Sequence, residues 1–156
     1  MNLSKQIAKQ LRSLYFGKNW TAVSYKEVLE NISWVQANKK VGDFNSILTL
    51  VHHTMYYMKV QLPVMNGGEL VASDKESFIH PPIRSEQEWQ DLLKEMYALV
   101  ETYATKIESL PEHIFDKPMA DEKYGNYYRN LHGVIEHSHY HLGQIVLLKR
   151  GLRVTI

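Results

Sequence analysis

The stretch "IEHSHYHLGQIVLLKRG", residues 135–151, holds three of the chain's eight histidines within five positions, His137, His139 and His141. A neutral imidazole offers one nitrogen lone pair to a metal, and left unpartnered among apolar residues it carries a desolvation cost. On a helical wheel at about 100° per residue, Leu131, Val134, Ile135, Ser138, Leu142, Ile145 and Val146 form one continuous, largely apolar arc. His137 and His141 lie one turn apart on one edge of that arc beside Leu148, whereas His132 and His139 lie near the opposite edge. Two imidazoles at i and i+4 can aim at one ion, which is why this spacing recurs in helical zinc sites. The plainer reading makes them edge histidines bonded to backbone or carboxylates. A third ligand decides between the two.

Candidates for that ligand sit in "LVHHTMYY", where His52 and His53 occupy opposite shoulders of an apolar arc about 100° apart. Only one of them can face a shared pocket, and periodicity does not choose. His80, before Pro81, and His113, after Pro111, fall in loops and are expected at the surface, with His80 a candidate for a lid. Two familiar metal-site patterns are absent. No His-Glu-x-x-His occurs, and a di-iron carboxylate bundle needs two Glu-x-x-His pairs where this chain has Glu136 with His139, off the core. A glycine-rich phosphate loop, a GxSxG elbow and a basic-aromatic nucleic-acid motif are also absent from the sequence.

The elements that must position these residues are helices. Leu3, Ile7, Leu11, Leu14 and Tyr15 recur every three or four residues and predict a helix over about 3–16, stopped by Gly17. Ser24 with Glu27 reads as a capping box opening one short accessory helix that ends before "ANKKVGD". Ile47, Leu50, Val51, Met55, Met58 and Leu62 predict a long helix from Asp43 or Phe44 to about Val64, ending at Pro63. About twenty residues with paired glycines and prolines follow, a long loop expected to cover one bundle end. Ser85 and Glu88 then open a third long helix striped by Trp89, Leu92, Leu93, Met96, Leu99, Val100, Tyr103 and Ile107, closed by Pro111. The fourth runs from about Asn126 to Lys149, with Gly151 as its C-cap. Four long helices without strand signals predict an all-α, antiparallel four-helix bundle.

The chain has 156 residues, enough for one domain, 1–156, with a real core. Eighteen basic against seventeen acidic side chains leave no extended phosphate-binding face, so nucleic acid is not an expected partner. With no cysteine, the chain has no disulfide, no thiolate metal site and no thiol nucleophile of its own, which fits a reducing cytoplasm. The N-terminal "MNLSKQIAKQLRSLYF" mixes charge into a helical pattern, and no apolar run reaches the roughly 18–20 residues that span a bilayer. A soluble, unprocessed, cytoplasmic protein without membrane partners is expected.

One histidine on the second long helix and the pattern HxxxHxGQI on the last, here His137, His141, Gly143, Gln144 and Ile145, resemble the DinB/YfiT-like superfamily. "GKNWTAVSYKEVL", "LVHHTMYY" and "DEKYGNYYRNLHG" extend the resemblance over nearly the whole chain, to a DinB-related subfamily whose second-helix ligand follows an aromatic residue. On that register His52 takes the aromatic position. The resemblance thus implies a four-helix bundle in which His53, His137 and His141 hold a divalent metal ion, commonly in a homodimer; imidazole ligands suit zinc, nickel, copper and iron alike, and zinc or nickel is the expected ion. Tyr57, Tyr127, Tyr128 and Arg129 are candidates for shaping its pocket, with packing or surface roles equally open. The family's low-molecular-weight thiol transferases imply a metal-dependent enzyme acting on a small molecule and adding a thiol to an electrophile. Metal-dependent hydrolysis is one alternative, for which Glu136 lies about 100° off the ligand edge. A non-catalytic module that stores or senses metal, or serves a stress response, is another.

Overall fold

Side-chain caps set where each helix begins, as backbone N–H groups without intrahelical partners require. The computed structural model describes residues 2–154. The side chain of Asn2 accepts from the Lys5 amide and opens α1 (Leu3–Phe16), which Gly17 ends at φ 109°. Ser24 and Glu27 form the expected capping box of α2 (Tyr25–Leu29), and Ser33 and Gln36 form a second one at α3 (Trp34–Asn38). Two short helices therefore stand where one was expected. Ser46 caps α4 (Ile47–Met65) through the Thr49 amide, and Pro63 is accommodated inside its last turn. Ser85 caps α5 (Glu86–Glu108) through the Glu88 amide, while the Glu88 carboxylate takes the Arg84 amide at 2.7 Å. Asn126 accepts from Arg129 N at 2.9 Å where α6 (Tyr127–Val154) starts.

The last helix does not stop at Gly151. It continues to Val154, because Leu152 packs against the core and the Gly151 backbone lies close enough to Val41 that an added Cβ would meet its Cγ1 at 3.6 Å. The packing of Leu152 outweighs the weak helix-breaking tendency of one glycine.

The protein is all-helical, and no strand occurs among the described residues. Its four long helices close a ring in which α1 packs on α5, α5 on α4, α4 on α6 and α6 on α1. Their senses follow from which residues meet. Ser4 reaches Glu108 while Arg12 reaches Glu101, so α1 and α5 are antiparallel. His53 meets His141 and Tyr57 meets His137, so α4 and α6 are antiparallel too. Lys59 pairs with Glu95 and Gln61 with Tyr103, so α4 and α5 run in the same direction. Antiparallel packing thus holds for two of the four seams.

The physical reason is the loop between α4 and α5. It does not lie over a bundle end but returns along the flank of α4, residue by residue. The Ser73 amide donates to the Tyr56 hydroxyl at 2.7 Å, Tyr57 donates to Asp74 at 2.7 Å, Ser77 meets His53, and His80 reaches Thr49 at 3.0 Å. Having travelled back the length of α4, the chain meets α3, where Glu86 accepts from Trp34 N at 3.0 Å, and α5 can repeat the direction of α4.

Large aromatics fill the core with their polar ends satisfied. Trp89 donates to the Ile32 carbonyl at 2.7 Å, Tyr25 to the Ser138 carbonyl at 2.8 Å, and Tyr103 to Gln61. Tyr15 stacks on Tyr25 at 4.4 Å and reaches the Ser138 hydroxyl, so α1 and α2 grip α6 at the turn carrying His137 and His141.

Candidate metal centre

The α4–α6 seam is where two helical periodicities converge. On α4, His53 is 3% exposed and turned inward toward α6. His52, one residue earlier, points to the returning loop and lies flat on His80 at 4.7 Å. Of the two, His53 is the one that faces α6. On α6, His137 and His141 face α4 one turn apart, and His141 is 6% exposed.

The three rings present the same atom to one another. The Nε2 of His137 lies 2.9 Å from the Nε2 of His53 and 3.0 Å from that of His141. One candidate ligand atom from each of the three lies within 4.8 Å of the other two. Their outer nitrogens decide where the protons sit. Ser77 spends its hydroxyl proton on the Asp74 carbonyl at 2.5 Å, so at its 2.7 Å contact with His53 it must accept from Nδ1–H. Gln144 offers Oε1 to His141 at 2.7 Å, which requires Nδ1–H there as well. The Nε2 atoms of His53 and His141 are therefore bare lone pairs. His137 carries one proton, its buried Nδ1 has no hydrogen-bond partner, and its Nε2 can donate to at most one of the two facing nitrogens.

Such an arrangement leaves lone pairs confronting each other unless a cation stands among them, and the donor set fits a divalent ion. Charge states agree. Burial foremost, and then the neighbouring imidazoles, hold His53 and His137 down to about 4, and burial lowers His141 against the opposing Gln144 bond. All three are neutral, the ligating form, at neutral pH.

Aromatic rings wall the site. Phe78, from the 3₁₀ turn Glu76–Phe78, stacks on His53 at 4.0 Å. Tyr57 stands edge-on to His137 at 4.7 Å and to His53 at 5.4 Å, and Tyr140 lies 5.0 Å from His141. Of the four residues considered for the pocket, Tyr57 is the one at the imidazoles. Tyr127 is buried in the core, Tyr128 lies over His132 at 5.6 Å, and Arg129 is exposed. His139 bonds the Ile135 carbonyl, Glu136 is exposed and pairs with His132 at 3.4 Å, and His113 is exposed. His80 belongs to the loop packed on α4, where it steadies His52 and does not reach the three imidazoles.

Ser77 was not foreseen. Nothing local marks a loop serine as the partner of a histidine 24 residues earlier, and the contact exists because the loop doubles back along α4. Two hollows flank the site along the seam. One, of about 490 Å³, is lined by Phe44, Leu50, Leu147 and Leu148 with Gln144. The other, of about 280 Å³, is reached past Tyr57 and Asp74. No described helix is long and apolar enough to cross a membrane.

No curated protein and no solved structure matches the chain. The family model of the DinB superfamily matches residues 19–145, a span that takes in His53, His137 and His141. The chain belongs to the DinB superfamily.

Proposed function

We propose that this protein is a metal-dependent enzyme in which His53, His137 and His141 hold a divalent ion, zinc or nickel, and that it transfers a low-molecular-weight thiol to a small electrophile. The observation that carries the metal is the confrontation of three Nε2 atoms with the outer nitrogens of two rings already fixed as donors. Three neutral ligands leave the charge of a bound divalent ion uncompensated, so that it stabilises a thiolate or hydroxide at neutral pH.

The chain's own groups do the positioning. Ser77 and Gln144 fix the tautomers and ring orientations of His53 and His141. Phe78 stacks on His53, and Tyr57 stands edge-on to His53 and His137. The nucleophile must come from a cosubstrate, since no residue of this chain is a cysteine. In the overall reaction the thiol loses its proton, its sulfur bonds to the electrophilic carbon, and the proton passes to the leaving group or to the carbanion formed. Hydrolysis needs a base beside a water. Glu136 faces away, and Asp74 is linked to the imidazoles through Tyr57, whose hydroxyl it holds. Thiol transfer is therefore preferred. We further place the protein in the reducing cytoplasm, as a homodimer with no nucleic-acid or membrane partner.

The test pairs metal analysis of untagged protein with two assays on the loaded enzyme, thiol consumption in the presence of an electrophile and incorporation of labelled water oxygen. Thiol loss that disappears in His137→Ala supports the reading. Label entering product without thiol loss replaces it with hydrolysis, and turnover unchanged in His137→Ala removes the metal from catalysis.

A further inference from the structure

Glu136, Tyr140, Gly143, Leu147 and Arg150 are all exposed and follow one another along α6 at spacings of four and three. At about 100° per residue they fall within an arc of about 80°, beside the edge that carries His137 and His141 and turned away from the core. Tyr140 is 64% exposed and Leu147 67%, although both are large and mostly apolar. Between them Gly143 leaves the helix bare, since a Cβ added there would meet nothing within 4 Å. Glycine inside a helix is less favourable than alanine, and the space beside Gly143 is filled by no described part of this chain. What the missing side chain allows is the close approach of a second backbone.

The two halves of this stripe complement each other. Two turns before Gly143 stands the carboxylate of Glu136, and two turns after it the guanidinium of Arg150. Glu136 uses one oxygen on His132 at 3.4 Å, and Arg150 makes no ion pair among the described residues. Tyr140 projects about one turn before the glycine. The hollow of about 490 Å³ opens about one turn after it, on the same edge of the stripe, between Gln144, Leu147 and Leu148 of α6 and Phe44 and Leu50. An antiparallel two-fold crossing at Gly143 therefore sets Glu136 of each copy opposite Arg150 of the other, and Tyr140 of each over the other's hollow. Such a contact is isologous and closes at two copies. A parallel pairing would set carboxylate against carboxylate and guanidinium against guanidinium, so the charges choose the antiparallel sense.

We propose that two copies of this chain pair through α6, crossing antiparallel at Gly143, with the Tyr140 ring of each seated in the other's hollow and Glu136 paired with Arg150 at both ends. The inference rests on the homodimer of the proposed function and assigns its surface. Phe44, 68% exposed, and Leu147 are covered by the incoming ring. Gln144 lines the same hollow and accepts from His141 Nδ1–H at 2.7 Å. Each copy thereby places an aromatic ring beside the residue that orients a histidine of the other's candidate metal centre.

The test follows the full-length chain by sedimentation equilibrium over a concentration series at low salt. The wild type is expected to dimerise. Glu136→Arg and Arg150→Glu each set like charges against each other at both ends of the contact and are expected to raise the dimer dissociation constant roughly tenfold or more. The two substitutions together rebuild both pairs in reverse and are expected to return it to near the wild-type value. Gly143→Leu has room for its side chain within its own chain but not beneath a second helix, so it is expected to be folded by circular dichroism and monomeric. A wild type that stays monomeric overturns the surface and the homodimer with it. A dimer that withstands the single charge reversals and Gly143→Leu overturns the surface alone, as does a double variant that associates no better than the singles.

Discussion

The α1–α5 and α4–α6 seams are both antiparallel helix contacts, and they spend their buried surface differently. Between α1 and α5, Leu11, Leu14, Val100, Ala104 and Ile107 are wholly buried, and the polar groups meet at the margin, where Arg12 holds Glu101, Thr105 and Glu108. Between α4 and α6 the same kind of contact places three imidazoles, a loop serine and a glutamine inside, with one buried nitrogen left without a partner. The first seam makes the bundle and the second interrupts it. A seam that only had to hold the fold together would do better with leucine at all three histidine positions, because an unsatisfied buried polar atom is a net cost.

This contrast is broken most sharply by removing a ligand. His53→Ala is expected to abolish stoichiometric metal in untagged protein, and His52→Ala to leave it intact, since His52 faces His80. Metal analysis of the purified variants decides it, and an ion retained by His53→Ala ends the three-histidine assignment. In chelator-treated protein the same seam, together with His52 on the loop side of α4, shapes acid behaviour. Burial holds His53, His137 and His52 down to about 4 in the folded chain, against about 6.5 in the unfolded one. Between those values the unfolded chain binds protons that the folded chain refuses, so stability should be flat above pH 6.5 and fall as the pH drops toward 4. Denaturant midpoints across that range check the slope, and a flat profile would show the imidazoles to be solvated.

On the opposite seam, Leu11→Ala should cost about 3 kcal/mol of folding stability through a cavity in the core. Metal content per folded molecule should not change. Loss of the ion in this variant would mean that the two seams are not separable.

Smaller again is the expected effect of the residues behind the ligands. Ser77→Ala and Gln144→Ala each remove the acceptor that fixes one Nδ1–H, and such partners are worth roughly 10–100-fold in metal affinity. Competition with a chromogenic chelator measures it. If Ser77→Ala binds as the wild type does, the tautomer of His53 is set by something other than the loop.

How far the chain could be read without coordinates follows the same division. Helical periodicity and capping pairs are local, so the four long helices and the edge shared by His137 and His141 could be taken from residue spacing. The Ser33–Gln36 box that opens α3 carries the same kind of signal as Ser24–Glu27 and was available to be read. The choice of His53 over His52 needed a resemblance, because one residue rotates a side chain by about 100° and both lie at the margin of the arc. The parallel sense of α4 and α5, and with it Ser77 and Asp74 at the site, depends on contacts made by a loop of irregular sequence. No spacing rule reaches those.

The smallest effect tests whether the margin of the α1–α5 seam matters at all. One guanidinium serves two carboxylates there, at 2.8 Å to Glu101 and 2.6 Å to Glu108, and draws the Glu108 carboxyl below its usual range by hydrogen bonding. Exposed ion pairs contribute about 0–1 kcal/mol each, and the carboxylates here are half open to solvent. Arg12→Ala should therefore lower stability by about 1 kcal/mol, more in dilute buffer than in concentrated salt, which screens the charges. Arg12→Lys should recover little, since a lysine cannot make the two-pronged contact with Glu108. Urea midpoints of the three proteins at low and high salt measure the difference. A loss that salt leaves unchanged would assign Arg12 to packing along α5 and not to its charge.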